Sequence, residues 1–132
     1  MQRLEVRTSR RVEFLDITAR IQDAVATQGT AGGAVLVFVP HTTAGVTINE
    51  DADPSVRADV ATALRRLVPE DLPFTHAEGN SDAHVKASLM GSSVLVPFED
   101  GRLQLGTWQG IYFAEFDGPR RRHVFVSVLA GA

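Results

Sequence analysis

Residues 93–129, SVLVPFEDGRLQLGTWQGIYFAEFDGPRRRHVFVSVL, set the fold class. Ser93–Phe98, Leu103–Leu105, Ile111–Phe116 and His123–Leu129 are runs rich in β-branched and aromatic residues, each too short for a typical helix. Turn chemistry separates them at Glu99-Asp100-Gly101 and Asp117-Gly118-Pro119. Between the second and third runs lies Gly106-Thr107-Trp108-Gln109-Gly110, where two glycines flank the only tryptophan. This is a bulged or tight segment presenting a large flat ring, either to the core or as a wall for a planar ligand with Gln109 as hydrogen-bonding partner.

Upstream, Leu4–Thr8 and Val12–Leu15 read as two short strands about a polar turn at Ser9 and Arg10. Asp16 or Thr18 caps a helix with Ile17, Ile21, Ala24 and Val25 at helical spacing, ended by Gly29. Gly32 and Gly33 read as a turn, and Ala34–Val39 as a strand buried on both faces, stopped by Pro40. Gly45–Asn49 is a further strand. Asp53 caps a second helix with Pro54 at its first position and a stripe of Val56, Val60, Leu64 and Leu67, ended by Pro69. Residues 69–81 form an irregular loop. Asn80 or Ser81 then caps a short helix with Val85 and Leu89 on one face, closed by Gly91.

Two main helices are too few to cover strands that are apolar on both faces. Either the strands pack as two sheets or neighbouring subunits cover them. The expected fold is α+β: a β-rich sandwich of mixed or antiparallel strands with two main helices and one short helix, in a single domain over residues 1–132 that oligomerises.

The 132 residues, 44% of them apolar, suffice for one core without disulfide staples. The chain has no cysteine, which excludes thiolate zinc sites and thiol nucleophiles. The opening MQRLEVRTSRRVEFLD lacks the apolar segment of a signal peptide, no stretch approaches a membrane span, and a cytoplasmic location is expected. A net charge of −3 gives no general attraction to nucleic acid. One local exception is Arg120-Arg121-Arg122, either a solvated loop edge or a grip on an anion, since a guanidinium forks onto two oxygens.

The chemistry-bearing residues are His41, His76 and His84, three of four histidines, each set among turn-forming or small residues. His41 follows Pro40 at a strand end, His76 lies in the irregular loop, and His84 falls in the first turn of the short helix, whose dipole helps keep the imidazole neutral. Brought together, they would supply three nitrogen ligands and leave a coordination position open, as in a catalytic metal centre. Glu50 and Glu78 are the candidate acid or base; Asp51 and Asp53 are better explained as helix-capping residues. His76-Ala77-Glu78 matches the H-x-E fragment of zinc deaminases, but the thiolates that complete such a site are missing. Neither nucleotide-cradling glycine motif nor a G-x-S-x-G elbow is present.

Three blocks, PHTTAGVTINEDADPSV, HAEGNSDAHVKASLMG and VPFEDGRLQLGTWQGIYFAEFDGPRRR through HVFV, resemble the YjbQ-like family, also named secondary thiamine-phosphate synthase. The resemblance covers essentially the whole chain. It implies a mixed α+β fold on a β-sandwich, a homotrimer, metal binding, and a site lined by His41, Asn49, Glu50, His76, Asn80, His84, Trp108 and Gln109. It also implies joining a pyrimidine diphosphate to a thiazole phosphate with loss of pyrophosphate. Arg120 and Arg122 would then meet phosphate, and the metal would be divalent, zinc in the first instance with magnesium as the alternative. Three histidines suit zinc, whereas magnesium prefers oxygen ligands. The expectation is therefore that thiamine-phosphate synthesis is secondary to another reaction on a small phosphorylated or anionic substrate. The alternative is a trimer that binds a metal or anionic ligand without turnover.

Overall fold

In a computed structural model, which describes residues 1–131, eight strands and three helices form a two-sheet sandwich. The strands are β1 (Gln2–Arg7), β2 (Glu13–Asp16), β3 (Gly32–Phe38), β4 (Ala44–Glu50), β5 (Ser93–Glu99), β6 (Arg102–Leu103), β7 (Gln109–Glu115) and β8 (Arg121–Ala130). The helices are α1 (Thr18–Thr27), α2 (Pro54–Leu67) and α3 (Ser81–Met90). One sheet has the order β1-β8-β3-β5-β6 and the other β2-β7-β4, and every pairing is antiparallel.

The core lies between the sheets. Val35, Val37, Val96, Val124 and Val126 face inward from the five-stranded sheet and meet Val46, Ile111 and Phe113 of the three-stranded one. Ile21 and Val25 of α1 join this cluster. Asp16 Oδ1 accepts from the Thr18 backbone N–H at 2.9 Å, so Asp16 serves the start of α1 although Ile17 occupies the cap position.

Three local expectations are corrected. Gly32 and Gly33 belong to β3 rather than to a turn; a Cβ on Gly33 would collide with the Leu129 carbonyl, so the glycine lets β3 and β8 pair closely. β3 is not buried on both faces: Val35 and Val37 point in, while Phe38 is 40% exposed on the outer side. On α3 the expected apolar face, Val85 and Leu89, is exposed, and Ala83, Ala87, Asp82 and Lys86 are buried instead. Small side chains let α3 settle against Ala114 and Phe116, and Lys86 is tolerated there because its Nζ lies 2.9 Å from Asp82 Oδ2.

Asp53 caps α2 as expected, its Oδ1 accepting from the Ser55 N–H at 2.9 Å. The stripe of α2 is seated loosely: no residue of the helix is fully buried, and Leu67 is exposed. The strand β7, by contrast, is buried from Gly110 to Glu115 because the sandwich core covers one face and α2 and α3 the other. No helix is long and apolar enough to cross a membrane.

Candidate functional site

At one end of the sandwich the β3–β4 connection, the loop before α3, the start of α3 and the β7–β8 connection enclose a cavity of about 690 Å³. His41, His76, Glu78, Asn80, His84, Arg120 and Arg122 all line it. The cavity thus gathers residues as far apart in sequence as His41 and Arg122.

Its floor is an ion pair that spans the two sheets. Alternation along β8 turns Arg122 inward with Val124 and Val126, and the same alternation on β7 turns Glu115 inward with Ile111 and Phe113. Glu115 is fully buried and Arg122 is 5% exposed. Arg122 Nε donates to Glu115 Oε1 at 2.8 Å, and Nη2 donates to Glu115 Oε2 and to Thr43 Oγ1. Thr8 Oγ1 donates to Glu115 Oε1, and the backbone N–H groups of Phe116 and Asp117 donate to Oε2. Burial pushes the Glu115 carboxyl upward, but the Arg122 guanidinium and these N–H and O–H donors outweigh it and hold the group below its ordinary value. Arg122 Nη1 alone takes no protein partner among the described residues, and Arg122 lines the cavity.

Above this floor, Arg120 is braced by Asp117, with Nε on the carbonyl at 2.8 Å and Nη2 on Oδ2 at 2.9 Å. Asn80 Nδ2 donates to the same Asp117 Oδ2 at 2.9 Å. Burial raises the Asp117 carboxyl, and the bonds from Asn80 and Arg120 overcome that and leave it below the usual carboxylate range. The middle arginine of the run, Arg121, alternates outward and lies 3.2 Å from Glu5, away from the cavity.

The three histidines share the cavity but do not form a ligand set. His41 Nε2 accepts the backbone N–H of His123 at 2.9 Å. Burial first, and the Arg122 charge second, hold His41 below its ordinary value of 6.5, so the ring is neutral with its proton on Nδ1. Neither nitrogen then offers a free lone pair. His76 and His84 meet edge to face with ring centroids 5.3 Å apart, and His76 Nε2 lies 3.8 Å from Glu78 Oε2. Among the described residues no three His, Asp or Glu side chains are set to hold a metal ion. The expected three-histidine zinc centre does not fit this arrangement, because His41 Nε2 accepts the His123 amide and, among the described residues, no three such side chains are set around one point.

Four residues implied by the resemblance lie elsewhere in the chain. Asn49 and Glu50 end β4, and register pairs them with Gly110 and Gln109 at the opposite end of the strands from Glu115. Trp108 is 63% exposed rather than a core anchor, and Gln109 Oε1 accepts from the Gly106 N–H at 2.8 Å, closing its own loop. None of the four lines the cavity. Residue reading missed Glu115 and Thr8 and took Asp117 only as a turn residue; a glutamate inside the apolar run IYFAEF is the one signal that marks a buried, paired charge.

The match to known proteins extends over nearly the whole chain. The model of the UPF0047 protein YjbQ-like family matches residues 2–131. The chain is 51% identical over 125 residues to a UPF0047 protein of Methanocaldococcus jannaschii, covering 95% of this chain and 91% of that one. It is 45% identical to the UPF0047 protein YugU of Bacillus subtilis over 130 residues, 98% of each. A crystal structure of an uncharacterised YjbQ/UPF0047 protein from Clostridium acetobutylicum superposes with a TM-score of 0.96 at 51% identity, covering 98% of this chain and 100% of that one. A YbjQ-like protein of unknown function from Sulfolobus solfataricus gives a TM-score of 0.94 at 32% identity, covering 98% and 96%. Coverage from end to end by the family model, the relatives and the solved folds places the chain in the YjbQ/UPF0047 family.

Proposed function

We propose that the chain is an enzyme acting on a small phosphorylated substrate in the cavity around Arg122, with thiamine-phosphate synthesis as a secondary activity. The observation that carries this reading is the unpartnered Nη1 of a buried guanidinium whose other donors are all engaged. Its charge is balanced by Glu115, so what it offers a ligand is two directed N–H bonds from a group that cannot swing away. His41, whose Nδ1–H is left as a donor, and Arg120 line the same cavity. Such a set recognises phosphate oxygens.

His76 and His84 supply the proton traffic. The edge-to-face contact of the two rings and the Glu78 carboxylate 3.8 Å from His76 support a part for the pair in passing a proton to a departing phosphate or diphosphate oxygen. No step passes through a metal. The other family-implied residues, Asn49, Glu50, Trp108 and Gln109, take no part within one subunit.

Arg122→Lys tests the reading because it keeps the charge beside Glu115 and removes the forked donor. Calorimetric titration with inorganic phosphate should show binding weakened about tenfold or more, at a melting temperature lowered by only a few degrees. Unchanged phosphate affinity in the folded variant overturns the assignment. Pyrophosphate release from a pyrimidine diphosphate and a thiazole phosphate should be measurable and should fall in His84→Ala.

We also propose a homotrimer. Leu36, Phe38, Leu95, Phe125 and Leu129 lie on the outer face of the five-stranded sheet, where Leu95 is 60% and Leu129 50% exposed. An apolar sheet face of this kind fits coverage by further copies of the chain, as the family resemblance implies. Phe38 belongs both to this face and to the cavity wall, so assembly would set the cavity at a subunit boundary.

A further inference from the structure

A second cavity, of about 390 Å³, adjoins the first across His41 and His84. The two differ in chemistry. The first contains the arginines, Glu78 and Asp117, whereas the second has no Arg, Lys, Asp or Glu in its lining. Ala44, Ala87 and Gly91 give it small, uncharged walls, and the Ser88 hydroxyl is spent on the His84 carbonyl at 3.0 Å. Beside it α3 approaches β4 closely: a Cβ on Gly45 would stand 2.5 Å from the Gly91 carbonyl.

We infer that this second lobe is a subsite for the uncharged, ring-sized organic group of a phosphate monoester, whose phosphate lies in the arginine-lined lobe. The inference rests on the phosphate reading of the first lobe. It specifies what that reading leaves open, which is the part of the substrate beyond the phosphate. The lobes share His41, Thr42, His84 and Ser92 in their linings, so a ligand occupying both passes its bridging ester oxygen through the boundary these four residues form. A free phosphate would leave the second lobe to water. An ester bearing a charged group would have to desolvate that charge without a partner, which the lining does not provide.

Phenyl phosphate and inorganic phosphate, titrated calorimetrically into the wild-type protein and into Ser88→Trp, test this. Ser88 is exposed on α3 and contacts no core residue cluster, so an indole there fills the lobe without entering the core. The wild type should bind phenyl phosphate about tenfold or more tightly than phosphate, the gain expected for burying a ring. Ser88→Trp should bind phosphate as the wild type does and lose the preference for the ester. Alanine-methyl NMR gives a readout without mutation: phenyl phosphate should shift the Ala44 and Ala87 methyl signals, and phosphate should not. Equal affinity for the two ligands, or a preference that survives in Ser88→Trp, overturns the subsite while leaving the phosphate lobe standing. Failure of both ligands to bind the wild type overturns the phosphate lobe itself and this inference with it.

Discussion

His41 shows how one backbone hydrogen bond changes what a side chain can do. With Nε2 taken by the His123 amide, the imidazole becomes a neutral donor rather than a ligand. Its NMR titration midpoint should fall below 6.5, the direction set by burial and Arg122. Because the folded state then binds fewer protons than the unfolded one, His41 contributes stability above pH 6.5 and that contribution is lost as pH falls towards the folded midpoint. His41→Asn should flatten that part of a melting-temperature profile. Glu115 works in a lower range. Its carboxyl is depressed below 4.5, so its stabilising contribution is complete above that pH and lost as pH falls through the folded value. Glu115→Gln should remove this acid-side slope and, by leaving Arg122 without its countercharge, cost about 3 kcal/mol in denaturant unfolding at neutral pH.

Among the elements, α3 matters most to the site because it carries His84 and touches both cavities. Its place is set by closeness to β4 and by charge. Gly45 permits the approach, and Asp82, nearly fully buried, receives Lys86 Nζ and Arg11 Nη2, each at 2.9 Å. Gly45→Ala should therefore push the end of α3 outward, lower stability by about 1–3 kcal/mol and shift the His84 resonances, readable by thermal melting and NMR. The helical periodicity of α2 and its Asp53-Pro54 start are plain in the chain, since capping and spacing are local properties. The buried face of α3 is not, because small residues that allow close approach carry no apolar signal, and the exposed Val85 and Leu89 suggest the wrong side. Nor is the start of β3 at Gly32, where glycine signals a turn unless the neighbouring strand is known to press against it.

For the molecule as a whole, the apolar outer face of the five-stranded sheet makes its own prediction. Leu95→Glu should convert the proposed trimer to monomers in sedimentation velocity, while far-ultraviolet circular dichroism stays unchanged because Leu95 is outside the core. If the cavity lies at a subunit boundary, phosphate affinity should fall in the same variant. Residue pattern alone was enough for the α+β sandwich, the strand-rich C-terminal half, the helix at residues 54–67 and for singling out His41, His76, His84, Arg120 and Arg122, which line one cavity; Asn80, which joins them there, came in through the family resemblance. These follow from side-chain period, turn chemistry and the rarity of certain groups, all of which are written along the chain. The packing of the sheets settled the rest: which end of β4 and β7 belongs to the cavity, that Arg122 is anchored on Glu115 with one nitrogen free, and that the His123 amide engages His41 Nε2. Those are matters of register and of distant groups meeting, and a linear pattern does not encode which partner reaches a donor first.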